Sequence, residues 1–184
     1  ISNIDPVDGL RTLSQIDLSS TLFLLVSKSG STLETKANIT LISEWLQSHG
    51  ISHDQFKNQL VIVTSMNSAI DHPNQALNIF YIDDAIGGRY SITSAVGGLI
   101  LSLAFGPNIF QDILSGAYQI DLHSQIPDVT QNMPLLSAFI DIWNRNILHY
   151  SAKGIIPYSD SLNLLPTHLQ QLDCESNGKQ NNIN

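Results

Sequence analysis

A short apolar run, Leu22–Val26, breaks into the polar turn Ser27-Lys28-Ser29-Gly30-Ser31-Thr32 and then continues to Trp45 as an amphipathic helical pattern. A run that short, apolar on both faces, fits a strand buried inside a parallel sheet. Ser31-x-x-Glu34 predicts a capping box at the start of the helix, and Gly50 a glycine closure at its end. Hydroxyls, one lysine, one glycine and backbone amides lie between strand and helix. Hydroxyls and amides donate hydrogen bonds, Lys28 brings full charge, and the helix dipole adds partial positive potential, which together are the parts of an anion site. On spacing alone a second reading stays open. Strand-to-helix turns are rich in Ser, Thr and Gly because such residues cap helices. There is no G-x-x-x-x-G-K-[ST], so a nucleotide P-loop is not supported. The turn carries no Asp or Glu that would repel an anion.

Further along, Asp8–Ile16 predicts a short helix. Gln59–Thr64 and Ile79–Ile82 predict two more strands, and Pro73 and Asn74 break the segment between them. Strands alternating with helices predict an α/β fold, a three-layer arrangement with a parallel sheet flanked by helices. Ligands of such sheets collect at the carboxyl ends of the strands. That edge holds the Ser27–Thr32 turn and the loop after Ile82. The loop reads Asp83-Asp84-Ala85-Ile86-Gly87-Gly88-Arg89-Tyr90-Ser91 and runs into an apolar segment that ends at Phe105. The double glycine lets backbone approach a ligand closely, and Arg89 offers a planar fork of donors for an oxyanion. After Pro107 come helix candidates at Asn108–His123, Met133–Leu148 and Ser161–Leu172, a short apolar strand candidate at Gly154–Tyr158, and the polar tail Gln180–Asn184. The Met133–Leu148 helix would carry Leu135, Leu136, Phe139, Ile140, Trp143 and Ile147 on one stripe.

With 184 residues, 42% hydrophobic and 13% charged, the chain has enough apolar material for a sizeable core. The charged fraction is about half the typical ~25%, which predicts surface covered by neighbouring protein. A net charge of −8 argues against nucleic acid and against an anionic membrane surface. An anionic ligand must be drawn in by local cations such as Lys28 and Arg89. A lone cysteine, Cys174, allows no internal disulfide and predicts a reducing, cytoplasmic compartment. No signal peptide or membrane-length apolar stretch is evident, and the chain reads as an excerpt from the middle of a longer protein.

Three segments in order resemble the phosphoglucose isomerase family, aldose–ketose isomerases built on sugar-isomerase (SIS-type) domains. They are Ser27-Lys28-Ser29-Gly30-Ser31-Thr32-Leu33-Glu34-Thr35, Gly87-Gly88-Arg89-Tyr90-Ser91, and Gln170-Gln171-Leu172-Asp173-Cys174-Glu175-Ser176-Asn177-Gly178-Lys179. Shorter likenesses at Ser2-Asn3-Ile4-Asp5, Leu114-Ser115-Gly116-Ala117 and Ile156-Pro157-Tyr158 extend the resemblance over nearly the whole chain. It implies a fragment of a larger two-domain enzyme, with residues 1–106 most of a first SIS-type domain and 107–184 the connecting helices and start of a second.

Position by position, the resemblance implies that Ser27, Lys28, Ser29 and Thr32 hold the 6-phosphate of a hexose. Gly88 and Arg89 would stabilise negative charge on an enediolate oxygen, as an oxyanion hole does. Glu175 would be the base moving a proton between C2 and C1 of glucose 6-phosphate and fructose 6-phosphate. Gln171 would contact the sugar or hold that base. The chemistry suits these types, since a base beside a carbonyl needs a partner for the developing charge and Arg89 keeps its charge at any working pH. No cofactor and no metal are implied.

The family's ring-opening histidine arrives from a neighbouring subunit, so a homodimer is implied; none of His49, His53, His72, His123, His149 and His168 falls in a matching position. Leu172 and Cys174 stand where the family has a glycine and a methionine. The family's upstream glycine-rich turn and its late lysine also have no match here. The alternative from another class is a non-catalytic SIS-type module that binds a phosphosugar to regulate a partner. His49 and His53, spaced i, i+4, could ligate a metal, but Gly50 interrupts the helix and no third ligand is near. Cys174 has no partnered histidine and reads as a small buried filler. The chain by itself is expected to be inactive. An isolated 184-residue chain that interconverts the two hexose phosphates at an enzymatic rate would contradict this.

Overall fold

The computed structural model describes residues 1, 4–176 and 178. Ser2, Asn3, Asn177, Lys179 and the tail from 180 to 184, on which part of the resemblance and the polar-tail expectation fall, lie outside the described residues. Contacts divide the chain into two compact units, Ile1–Phe110 and Gln111–Asn184.

The first unit is an α/β arrangement. Asp5 caps α1 (Pro6–Leu13), its carboxylate accepting from Val7 N–H, and Pro6 opens the helix where no N–H is needed. The apolar run forms β1 (Phe23–Val26), followed by α2 (Leu33–Ser48), α3 (His53–Lys57), β2 (Leu60–Thr64), a 3₁₀ turn at Pro73–Gln75, and β3 (Asn78–Tyr81). The strands pair in parallel, in the order β1-β2-β3, with Leu24 opposite Val61 and Val63 opposite Phe80. Central β2 is buried along its whole length, as its unbroken apolar sequence predicts. Leu46 of α2, Phe56 of α3, Leu60, Ile62 and Ala76 form the core, and the rings of Phe23 and Phe56 meet edge to face at 5.5 Å. A 3₁₀ turn at Gly88–Thr93 leads into α4 (Ala95–Phe105), which Ser94 caps through Val96 N–H.

Two local expectations concern the ends of α2, and they part ways. The Ser31–Glu34 capping box does not form: Thr32 holds the N-cap position without a side-chain bond, and Ser31 Oγ instead pairs with Ser29 Oγ at 2.7 Å. The capping box of this unit is at Ser52 and Gln55, at the start of α3. The glycine closure is present, with Gly50 at φ +82° just past α2.

The second unit is helical. It continues α5 (Pro107–Ser124), then has α6 (Met133–Ile142), capped by Asn132 through Leu135 N–H, and α7 (Leu165–Gln170). π-turns extend α6 over Trp143–Ile147 and α7 over Gln171–Ser176. Among the described residues Gly154–Tyr158 has no strand partner, and it runs as irregular chain. Of the stripe expected over Met133–Leu148, Phe139, Ile140 and Trp143 are about half exposed, and Trp143 and Ile147 lie in the π-turn beyond α6. Among the described residues no helix is long and apolar enough to cross a membrane.

Leu46, 1% exposed at the middle of the core, is the position where truncation should cost most. Leu46→Ala is expected to lower unfolding free energy by about 2–5 kcal/mol, measured by urea denaturation of the intact protein.

Candidate active site

The candidate site is built at the carboxyl ends of β1 and β2. Past Val26 the chain stays tied to β2: Ser27 N–H donates to the Val63 carbonyl at 3.0 Å, and Ser65 N–H to the Lys28 carbonyl at 3.1 Å. Thr64, fully buried, donates its hydroxyl to the Ser27 carbonyl at 2.7 Å and shares a 2.7 Å bond with Ser68 Oγ. The turn closes on itself, with Gly30 N–H donating to Ser27 Oγ at 3.1 Å and Ser31 N–H to Ser29 Oγ at 3.2 Å.

Ser27, Lys28, Ser29 and Thr32 all line one concavity of about 580 Å³. Its other wall is Ser65, Asn67, Ser68 and Ala69, with Asp84 also contributing. Asp71 anchors that wall. Its carboxylate accepts from Asn67 N–H at 2.7 Å and from the Tyr81 hydroxyl at 3.1 Å, and this hydrogen bond holds the Tyr81 phenol above its ordinary pKa. Since Thr32 makes no capping bond, the first-turn amides of α2 have no side-chain acceptor from the cap, the arrangement in which a helix start receives an anion.

Lys28 Nζ donates to the backbone carbonyls of Asp84 at 2.8 Å and Ile86 at 2.7 Å. It thereby touches the loop that leads into Gly88 and Arg89. Gly88 is exposed and Arg89 half-buried, at the start of the 3₁₀ turn. Gln171 and Glu175 belong to the second unit, both exposed on the π-turn after α7. Glu175, just past the helix expected at Ser161–Leu172, lies in a wide helical turn, a form enriched at functional sites. Cys174 is exposed, not a buried filler. His49 is taken up at the end of α2, stacked on Trp45 with ring centroids 4.3 Å apart and bonded through Nδ1 to the Trp45 carbonyl. Among the described residues no cluster of His, Cys, Asp or Glu is placed to hold a metal.

The Ser65–Ala69 wall is not among the sequence candidates. Its signal is positional: the rule that ligands gather beyond strand ends applies to β2 as it does to β1 and β3. Asp84, which also reaches the concavity, offsets part of the positive potential that the turn itself provides.

Gly30 is the turn residue least open to change. Its φ is +64°, and an added Cβ would lie 2.7 Å from Ile70 Cγ1 and 2.9 Å from the Ile70 nitrogen. Gly30→Ala is therefore expected to destabilise by about 1–3 kcal/mol. Calorimetric unfolding of the intact protein measures this; an unchanged midpoint would contradict this geometry.

The chain is similar to known proteins over nearly all of its length. The phosphoglucose isomerase family model matches residues 1–184. A Treponema pallidum protein named glucose-6-phosphate isomerase is 48% identical over 99% of this chain and 34% of its own length. One of the same name from Chlamydia trachomatis is 46% identical over 97% of this chain and 34% of its own. A crystal structure of a glucose-6-phosphate isomerase from Chlamydia trachomatis matches with TM-score 0.90 at 46% identity, covering 96% of this chain and 34% of that one. A hypothetical protein from Thermus thermophilus matches with TM-score 0.80 at 31% identity, covering 98% and 42%. The chain thus spans about a third of the length of the curated relatives it matches. A family-model match along all 184 residues, near-half identity and a shared backbone agree, and the chain belongs to the phosphoglucose isomerase family.

Proposed function

We propose that this chain is part of an enzyme that interconverts glucose 6-phosphate and fructose 6-phosphate by proton transfer between C2 and C1 through an enediolate. The observation that supports it most is the shared concavity of Ser27, Lys28, Ser29 and Thr32 at the carboxyl edge of a parallel sheet. A phosphate group has several oxygens to satisfy, and this wall offers three hydroxyls, an ammonium and a helix start. The names of the relatives point the same way.

In this reading the phosphate anchors the open-chain sugar with its C1–C2 end at Gly88 and Arg89. The Glu175 carboxylate takes the C2 proton of the aldose, and the electron pair moves through the new C1–C2 double bond onto the carbonyl oxygen. Arg89 and the neighbouring amides stabilise that oxyanion. Return of the proton from Glu175 to C1, with loss of the hydroxyl proton at O2 and gain of one at O1, completes the ketose. Gln171 contacts the sugar hydroxyls or holds the base. The working form is a cytosolic homodimer in which the partner subunit supplies the histidine that opens the sugar ring. No cofactor takes part.

Glu175→Gln in the full-length protein tests this. It is expected to lower exchange of the C2 hydrogen with solvent by roughly 10²–10⁴-fold, the usual contribution of a positioned base, while phosphosugar affinity is nearly retained. Survival of both exchange and binding would remove Glu175 from the mechanism. A wild-type protein that binds the phosphosugar without catalysing exchange would favour the regulatory-module alternative.

A further inference from the structure

We propose that Lys28 is a positioning residue for Arg89, a strap between the phosphate turn and the loop that carries the oxyanion donors. This rests on the isomerase reading and adds a role to Lys28 beyond charge for the phosphate. The two carbonyls that Nζ meets, at 2.8 and 2.7 Å, belong to Asp84 and Ile86, residues 56 and 58 positions further along the chain. They are short bonds from a charged donor, roughly twice as strong as neutral ones. An ammonium has three N–H donors. Two are spent on the loop, which leaves one for a ligand in the concavity that Lys28 lines.

The sequence between the strap and Arg89 adds little stiffness of its own. Only Gly87 and Gly88 separate Ile86 from Arg89, and glycine restrains its own backbone least. The two glycines add no side-chain packing of their own: an added Cβ on Gly88 would meet nothing within 4 Å, and one on Gly87 only a Tyr90 ring carbon at 3.7 Å. The bonds from Ala85 N–H to Asp83 Oδ1 and from Ile86 N–H to the Asp83 carbonyl are internal to the loop. Those of Lys28 tie the loop to the rest of the fold. The strap is itself anchored, since the Lys28 carbonyl accepts from Ser65 N–H at 3.1 Å and from Thr64 Oγ1 at 3.2 Å. A phosphate bound at the turn and a guanidinium set by the loop thus share one side chain, and the span between them is defined before the sugar arrives.

The test compares two ligands of the full-length protein by calorimetry. One is a hexitol 6-phosphate, which carries the phosphate and nothing like an enediolate. The other is a phosphorylated hydroxamate, whose planar anionic head mimics the enediolate. Lys28→Arg keeps the charge but replaces the compact ammonium by a planar fork that cannot meet both carbonyls in the same way. It is expected to weaken the hydroxamate roughly 10- to 100-fold while the hexitol phosphate changes by less than about threefold, and to lower kcat more than it raises KM. Lys28→Met should lose affinity for both ligands, with the extra loss for the hydroxamate preserved; if it does not fold, the arginine variant decides alone. Equal losses for both ligands, or an arginine variant that binds both like the wild type, overturn the strap in an otherwise active enzyme. Absence of C2-hydrogen exchange in the wild type overturns the isomerase reading itself, and the strap with it.

Discussion

The hydrogen-bond ladder between β1 and β2 continues past the strands. Val26 pairs with Val63, and the next donors and acceptors in line belong to Ser27, Lys28 and Ser65. Ser29 extends the pattern by accepting from Ala69 N–H at 3.2 Å. The residues that carry the hydroxyls and the ammonium therefore have their backbone set by a buried sheet, not by a free loop. Ordering a flexible turn around a ligand would cost about 1–2 kcal/mol per residue in backbone entropy. Here folding has already met that cost, which leaves more of each donor's interaction free energy for binding.

Where the ladder stops, Gly30 turns the chain at positive φ, and Ile70 occupies the space where a side chain would begin. This conflict between sheet and core explains why the turn is legible in the sequence while its detail is not. A short apolar run followed by Ser, Lys and Gly reports a buried strand and a tight exit. Whether the Ser31 hydroxyl turns toward the helix or back to Ser29 is a choice between two bonds of similar strength, and the spacing S-x-x-E does not encode it. The second wall escapes sequence reading because Ser65–Ala69 has no unusual composition; it becomes visible only when β2 is placed beside β1. Thr64 is the clearest case. In sequence it is the last residue of an apolar run, and in the fold its hydroxyl is the buried pin between β2 and the turn.

The helical unit shows the complementary limit of sequence patterns. Gly154–Tyr158 has the apolar composition of a strand, yet a strand is defined by a partner, and among the described residues none pairs with it. The periodicity of Met133–Leu148 gives one continuous helix, whereas the backbone widens into a π-turn at Trp143. A similar widening carries Gln171 and Glu175. An extra residue per turn shifts side chains around the helix axis without changing which residues are apolar, so hydrophobic spacing is blind to it. The residues of greatest chemical interest in this unit thus sit where periodicity carries least information.

Charge sets the last constraint, and magnitudes decide it. The chain is net negative by eight, and the ligand of the proposed reaction is an anion. At physiological ionic strength, exposed charges beyond about 8 Å are largely screened, so the summed repulsion of a distant acidic surface is weak at the turn. A cation at hydrogen-bond distance acts through an effective dielectric far below that of water, and one such contact can outweigh many remote carboxylates. Lys28, however, shares its charge with two carbonyl dipoles, and Asp84 lies at the same concavity. Its net pull is thereby reduced, and in the proposed reading orientation of a phosphate falls to the neutral donors: the hydroxyls of Ser27, Ser29 and Thr32 and the amides at the start of α2. Such donors are directional and exert little force at long range. On the proposed reading, a site of this kind selects its ligand by the geometry of the phosphate oxygens and not by charge alone, which suits a chain whose screened net charge exerts little force on an anion until it is within contact distance.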